Sequence, residues 1–486
     1  MNSKHFDVTI VGSGPAGLFL AREILLNSPN KKVALIDSGR SIVKRHCPLV
    51  EKGNCTQCNT CHAVQGVGGA GMFSDGKLSL FPAGSGLVKI TGSESTVKSI
   101  NEYVVNAFLE SVYHDKATTS KAFESNTSCV AQLAIDNQMN FKCYDVHHVG
   151  TEGIQEYCIE LEKQLINLGV TLMTQTQFLD IEKFENIFVS TVKDGRGQTL
   201  RISSDYVVMA TGKSSGLILR KICQKLNVGF DFNAIELGVR VETSRSAIKA
   251  LSESHLDAKL KMETLDDAEV RTFCLCDGGY LVSCFYDDYL ENNQKICTIS
   301  GYSFNSKKSN NSNFSILVRK NFPQNIDPIS MQLGIIQAVN KASGHGGTVV
   351  QRYGDFVSRR PTSLEALRAN SIQSTLIDAT PTNLRWLLPE YVCSAAEEFL
   401  DKLSCICPEI GSDDTLLHAP VWELCWDRMI VGPNLTTTVP GFYIVGDAMG
   451  WARGIVQAAT TGVIVARDIL SCSSEKPIRK PVSFAR

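Results

Sequence analysis

The first forty residues limit the fold more than any other stretch of the chain. Val8-Thr9-Ile10-Val11 is a short apolar, β-branched run that opens into Gly12-Ser13-Gly14-Pro15-Ala16-Gly17. Residues with helical apolar spacing follow. A second short run, Val33-Ala34-Leu35-Ile36, ends at Asp37, 20 residues after Gly17. Strand, glycine turn, helix, strand and acid in that order make a dinucleotide-binding βαβ unit. Gly12 allows the tight turn, and Gly14 lets backbone N–H groups approach a pyrophosphate. Gly17 lets the helix pack closely on the strand. The helix N-terminus offers positive partial charge to phosphates. Asp37 is placed to accept hydrogen bonds from a ribose.

The chain has 486 residues, 43% of them hydrophobic, and a formal net charge of −2. That length supports two or three domains around large cores. Without a basic stripe, nucleic acid is not expected as a partner. No apolar run of membrane-spanning length is expected. Met1 to Asp7 is polar and runs straight into a strand, so no signal peptide is expected. Seventeen cysteines then imply a reducing, cytoplasmic setting, with thiols or metal ligands and no disulfide framework. The polar stretch Asn305 to Asn313 reads as a surface loop.

A second feature lies between His46 and Leu80. Cys47, Cys55, Cys58 and Cys61 are followed by Gly66-Val-Gly68-Gly69-Ala70-Gly71-Met-Phe-Ser74-Asp-Gly-Lys77. The glycines mean that backbone is exposed to something that comes close. Backbone amides and Ser74 suit a phosphate nest. Three readings of the cysteines stay open: a zinc or iron–sulfur site, a redox pair beside a cofactor, or thiols with no shared role. Cys274-x-Cys276 and Cys405-x-Cys407 have one intervening residue, which suits neither pattern, and read as core or surface thiols.

Two further segments complete a split nucleotide domain. Tyr157 to Leu168 has helical periodicity, while Val170 to Met173 and Phe178 to Ile181 read as strands. A buried-strand run from Asp205 then closes in Ala210-Thr211-Gly212. Near the end, Gly441-Phe-Tyr-Ile-Val-Gly446-Asp447 reads as a strand ending in an acid. Arg453-Gly454-Ile455 follows and opens a helix rich in small residues. Asp447 is placed for a ribityl hydroxyl or, through water, a pyrophosphate. The Gly454 and Ile455 amides and Arg453 are placed to meet negative charge.

These motifs together (GSGPAG, Asp37, GVGGAGMFSDGKL, ATG, and GFYIVGDAMG with RGIVQAA) resemble the glutathione-reductase-type FAD fold. Within it the chain is similar to a family of FAD-dependent dehydrogenases of unknown specific activity, and distantly to geranylgeranyl-reductase-like flavoproteins. Further stretches fit that family: His148 to Gly153, Ile235 to Glu242, Arg271 to Cys274, Gly278 to Tyr280 and Ser312 to Phe314. The resemblance implies an α/β fold: a discontinuous FAD-binding Rossmann-like domain with an inserted mixed α+β substrate domain. The parts are FAD-binding residues 1–85, 145–225 and 430–472, a helical excursion at 86–144 with helical spacing from Val97 to Val112, a substrate or cap domain at 226–429, and a basic, loosely ordered tail at 473–486. It implies FAD contacts from Gly12, Ser13, Gly14, Pro15, Ala16, Gly17, Asp37, Ser38, Gly68, Gly69, Ala70, Ser74, Phe178, Ala210, Thr211, Gly212, Gly446, Asp447, Gly454 and Ile455. Asp37 stands where the family usually has Glu. Thr211-Gly212 replaces the Asp-Gly of aromatic hydroxylases, which argues against hydroxylase chemistry.

The expected activity is transfer of a hydride or electron pair between an organic small molecule and the flavin. The alternatives are an FAD monooxygenase, or a binding module in which FAD is structural. With no second βαβ unit bearing GxGxxG, NAD(P)H is expected only as a transient donor beside an unidentified electron partner. Arg453, Cys58, Cys61 and Lys77 are the candidates for catalysis. His46, His62, His147, His148 and His418 are candidates by residue type alone.

Overall fold

A computed structural model describes residues 4–49, 53–110, 117–123, 128–287, 295–323, 325–423 and 426–473. The tail at 474–486 lies outside the described residues. The opening run forms the strand Lys4–Val11, the helix Pro15–Asn27 and the strand Val33–Ile36. The last two start where the residues change character. Pro15 occupies the first helical turn, where a missing N–H costs nothing. Val33 begins an apolar run buried at all four positions.

One sheet is built around this unit. Its parallel part runs Thr171–Met173, Val33–Ile36, Lys4–Val11, Thr199–Met209 and Phe442–Ile444. Thr199–Met209 is long enough to take two partners on one side. Its first half pairs antiparallel with Ile187–Lys193, which continues to Gln177–Phe184, and its last residues pair with Phe442–Ile444. Segments far apart in sequence thus meet in one sheet. Their carboxyl ends, at Gly12, Asp37, Ala210 and Gly446, share an edge, where open α/β sheets bind ligands.

The final helix, Ile455–Ser473, packs against Pro15–Asn27. A Cβ on Gly462 would stand 2.2 Å from the Ala16 carbonyl oxygen, so glycine is what lets the two helices approach. An 18-residue window of this helix, Ile455–Cys472, has mean hydropathy 1.3 and is long and apolar enough to cross a bilayer, against expectation. Yet 72% of it is buried inside the protein, and it serves as a core helix.

The inserted domain centres on an eight-stranded sheet ordered Thr380–Pro381, Val349–Arg352, Leu416–Glu423, Ile235–Ser244, Asn311–Lys320, Glu269–Cys276, Lys259–Glu263 and Asn140–Lys142. A separate hairpin, Tyr280–Tyr286 with Ile296–Tyr302, lies beside it. Two expectations are corrected here. The excursion at 86–144 holds the helix Glu94–Leu109 but also strands Thr118–Ser120 and Asn140–Lys142, and the latter is the edge strand of the inserted sheet. Residues 311–313 are not surface loop. They open a buried strand, and their amides serve buried ions: Asn313 accepts from Arg240 at 2.7 and 2.9 Å, and Asn311 donates to Glu242 at 3.1 Å.

Candidate functional site

A cleft of about 820 Å³ opens at the carboxyl edge of the parallel sheet and is walled on its far side by the inserted sheet. The volume falls in the range of about 300–1,000 Å³ usual for ligand sites. The glycine turn forms its floor. Gly12 has φ +103°, and a Cβ there would lie 2.3 Å from the Ala210 carbonyl oxygen. A Cβ on Gly17 would lie 2.0 Å from the Gly12 carbonyl oxygen. Both glycines are demanded by the fold. Gly14 differs. It has φ −72°, ordinary for any residue, and a Cβ would meet nothing closer than the Gly69 Cα at 3.9 Å. Nothing in the protein requires glycine at 14, but the open space beside it lies against the unpaired N–H groups of a helix start. A phosphate fits that cradle, and a side chain would fill it.

Asp37 is buried and tied into the same loop. One carboxylate oxygen accepts from Ser13 N at 2.9 Å and Ser13 Oγ at 2.6 Å, the other from Gly39 N at 2.8 Å. The oxygen that accepts from Gly39 keeps one lone pair for a further donor. Ser13, Pro15, Ala16, Ser38, Phe178, Ala210, Thr211 and Gly212 also line it. Thr211 Oγ1 and Gln65 Oε1 are shut off from water without a hydrogen-bond partner. Orphans of this kind mark where a ligand completes a site. The donors, acceptors and open cradle fit an FAD.

The glycine-rich segment closes over this loop. Gly69 (φ +58°) passes so near Gly14 that a Cβ would lie 2.9 Å from its Cα. Gly69, Ala70 and Ser74 face the cleft. Gly68 does not: its N–H donates to the Ser13 carbonyl at 2.9 Å and holds the segment down. The organiser is Arg45, which sequence reasoning missed. Its buried guanidinium donates to the carbonyls of His62, Gly66, Val67 and Gly69 at 2.7 to 3.2 Å. Burial pulls its pKa down to about 10, which still leaves it a cation at neutral pH.

On the opposite side, Gly446, Asp447, Gly454 and Ile455 line the cleft. Burial pushes the Asp447 carboxyl up to about 7, although Arg453 and the Gly454 N–H favour its charge. Arg453, placed by the sequence to meet negative charge, is already paired within the protein. It donates to Glu236 at 2.6 Å, while Arg271 donates to the other oxygen of Glu236 at 2.7 and 3.0 Å. Burial works against the Glu236 charge, but the two guanidiniums prevail and hold its pKa down to about 2. Both guanidiniums lie over the Phe273 ring, at 4.8 and 5.1 Å. This triad joins the inserted domain to the flavin side of the cleft.

Several sequence candidates fall elsewhere. Among the described residues no three His, Cys, Asp or Glu side chains gather as a metal site needs, so of the three readings of Cys47, Cys55, Cys58 and Cys61 the zinc or iron–sulfur site is the one corrected. Cys47 and Cys61 are buried among apolar side chains, and none of the four is in a disulfide. Burial raises Cys61 and carries Cys55 up to about 11, the reverse of a reactive thiol. Cys58 and Cys61 do not line the cleft, whereas Cys274 and Cys284 do. Lys77 does line it but is not a base. It contacts Asp75 and Asp257, each at 3.3 Å, and donates to the Leu275 carbonyl. Burial opposes its charge, and the two carboxylates outweigh burial and keep it protonated.

None of the five candidate histidines faces the cleft. His148 is buried against the Asp75 carbonyl at 2.8 Å, and burial with the Lys77 charge pushes it down to about 4. His418 is buried against Glu242 at 3.1 Å. His62 bonds the His46 carbonyl at 2.7 Å, and His147 bonds Thr119 at 3.0 Å.

The wall from the inserted sheet was also missed. Lys142, Lys259, Lys261, Arg271 and Arg319 reach the cleft from four neighbouring strands, with Tyr144, Asp257, Glu269 and Phe273. The available signal was alternation: Lys259-x-Lys261 and Glu269-x-Arg271-x-Phe273 put charge on one face of a strand.

Residues 234–421 match the family described as FAD-dependent protein, C-terminal domain-like. A protein of Clostridium beijerinckii described as uncharacterized is 22% identical over 494 residues, spanning 95% of this chain and 80% of that one. Among solved structures, a flavoprotein/dehydrogenase from Cytophaga hutchinsonii aligns with TM-score 0.43 and 11% identity over 97% of this chain and 80% of that one. Glycine oxidase from Geobacillus kaustophilus aligns with TM-score 0.40 and 10% identity over 96% and 95%. The matched segment contains most of the inserted sheet, and the dinucleotide loop with its orphaned acceptors lies across the cleft from it. The inserted domain is thus similar to the C-terminal domain of FAD-dependent proteins, and it faces a dinucleotide-type loop across one cleft.

Proposed function

We propose that the protein moves an electron pair between FAD and a small organic substrate bound on the inserted-sheet wall of the same cleft. The observation that carries this reading is the continuity of the cleft, from the glycine turn to a charged wall supplied by another domain. Gly14 and the helix start at Pro15 take the pyrophosphate, and Asp37 takes a ribose hydroxyl with its remaining lone pair. Thr211 Oγ1 and Gln65 Oε1 gain their missing partners from the bound cofactor. FAD supplies the centre that accepts or gives up a hydride.

The chain's own groups do the rest. Arg453, fixed by Glu236, keeps a positive charge at the start of the last helix, where negative charge is stabilised. Asp447, with a pKa near neutrality, holds or releases a proton at its carboxyl oxygen. Phe273 and the glycine-rich segment keep water from the space between them. NAD(P)H serves as a transient donor in this reading, and the many free thiols favour a cytoplasmic setting.

The test is anaerobic mixing of the FAD-loaded protein with NADH, NADPH and candidate organic donors, followed by admission of oxygen. Flavin bleaching by a donor, with no hydroxylated product when oxygen enters, supports the proposal. Hydroxylated product would show a monooxygenase. A flavin that no donor bleaches would show a structural cofactor.

A further inference from the structure

The inserted-sheet wall carries more positive charge than its own acids can neutralise. Each acid there is already engaged. Asp257 holds Lys259 at 2.8 Å, Glu269 holds Lys261 at 2.6 Å, and Glu236 holds Arg271 and Arg453. Arg319 sits in register between Glu236 on one neighbouring strand and Glu269 on the other. It pairs with neither, because both are taken, and among the described residues its side chain makes no hydrogen bond or ion pair. Lys142 lies opposite Lys259, and Lys261 opposite Arg271. Like charges facing each other across a ladder are unfavourable. Here they recur along one face, and that face is a wall of the cleft. The Lys142 side chain also has no partner among the described residues.

Accepting the flavin reading, we infer that this wall binds an organic anion: the substrate carries a carboxylate or phosphate group, held by Arg319 and the lysines beside it. Two facts support an anion over a neutral ligand. Arg319 presents a planar fork of donors, which matches carboxylate and phosphate oxygens in pairs. The wall also lies inside a cleft, where low-dielectric surroundings strengthen attraction for an opposite charge. The rest of the ligand lies toward Phe273, the ring that Arg271 and Arg453 flank. This puts the anionic end on the inserted sheet and the other end toward the flavin-side residues. Carboxylate and phosphate share this chemistry, and a phosphate can arrive either on the substrate or on a nicotinamide donor.

The experiment is calorimetric titration of the FAD-loaded protein with malonate, inorganic phosphate and neutral malonamide at constant ionic strength, with the flavin spectrum recorded in parallel. Saturable binding of malonate or phosphate, a perturbed flavin spectrum and no response to malonamide support the inference. Arg319→Gln should then raise the Kd for the anion about tenfold or more, and Lys142→Gln should raise it less, with FAD content unchanged in both. Malonate binding without phosphate binding assigns the wall to a carboxylate substrate. Phosphate binding together with tighter binding of NADPH than NADH assigns it to a donor's phosphate. Absence of saturable binding, or an anion Kd unaltered in Arg319→Gln, overturns the inference. A wild-type protein that takes up no FAD overturns the flavin reading instead, and the calorimetry on that protein still decides the anion site.

Discussion

The three glycines of the dinucleotide turn should respond to the same substitution in two different ways. Alanine at Gly14 adds a methyl group to open space, on backbone that any residue adopts. In flavin-free protein Gly14→Ala should be neutral or stabilising by about 0.4–1 kcal/mol, because the unfolded chain loses freedom. For a chain of this size that is a rise in Tm of at most about 2 °C. The same methyl occupies the phosphate cradle. If it displaces one or two charge-assisted hydrogen bonds, each worth about 1.5–3 kcal/mol, FAD affinity falls by about tenfold or more. Gly12→Ala meets a carbonyl oxygen at 2.3 Å and must hold φ +103°. Strain of about 1–3 kcal/mol and overpacking of similar size should lower stability in the absence of any flavin. Gly17→Ala should behave like Gly12→Ala through overpacking alone, since its Cβ would lie 2.0 Å from the Gly12 carbonyl oxygen. The assays are thermal unfolding of flavin-free protein and fluorescence titration with FAD. The reasoning is refuted if Gly14→Ala destabilises the flavin-free protein as much as Gly12→Ala, or if it binds FAD as the wild type does.

Four shorter predictions follow from the same geometry. Arg453→Ala should retain FAD but make its reduction potential more negative, because a positive charge is lost beside the cofactor; a potentiometric titration with an unchanged midpoint would remove Arg453 from the site. Asp447 ionises near pH 7 when folded and near 4 when unfolded, so flavin-free protein should lose stability as pH rises from about 4 through 7, and Asp447→Asn should flatten that dependence in denaturant titrations. Lys77→Met leaves Asp75 without its only ion-pair partner among the described residues and strips one of two there from Asp257; chemical denaturation should show a loss of about 3 kcal/mol, with no ionisation removed from the pH–rate profile. Cys61→Ser should leave FAD content and turnover unchanged, since the thiol packs outside the cleft; loss of flavin or activity would restore a redox or metal role.

What the sequence made legible was local. The glycine turn, its flanking strands and Asp37 lie within a few dozen residues, and their chemistry dictates their geometry. The strands ending at Ala210 and Gly446 were legible for the same reason, since each closes in a small-residue turn. The wall was not legible. Its charges come from residues 142 to 319, and only the pairing of four strands brings them to one face. Asn311 to Asn313 looked like loop because polar runs usually are. They are buried because Arg240 and Glu242 need amide partners inside the sheet. The cysteines show the opposite error. Density along the chain suggested convergence, but Arg45 occupies the centre of that region, and its hydrogen bonds go to backbone carbonyls.

The central claim, that FAD binds non-covalently in the cleft against the Gly14 cradle, is most directly tested by reconstitution. Wild-type and Gly14→Val proteins are incubated with FAD, freed of excess cofactor, and then precipitated with acid, and the released flavin is measured by absorbance. The account predicts one FAD released per wild-type chain, a colourless pellet, and almost no flavin with folded Gly14→Val protein. A folded Gly14→Val protein that releases as much FAD as the wild type, or a wild-type protein that retains none, would contradict it.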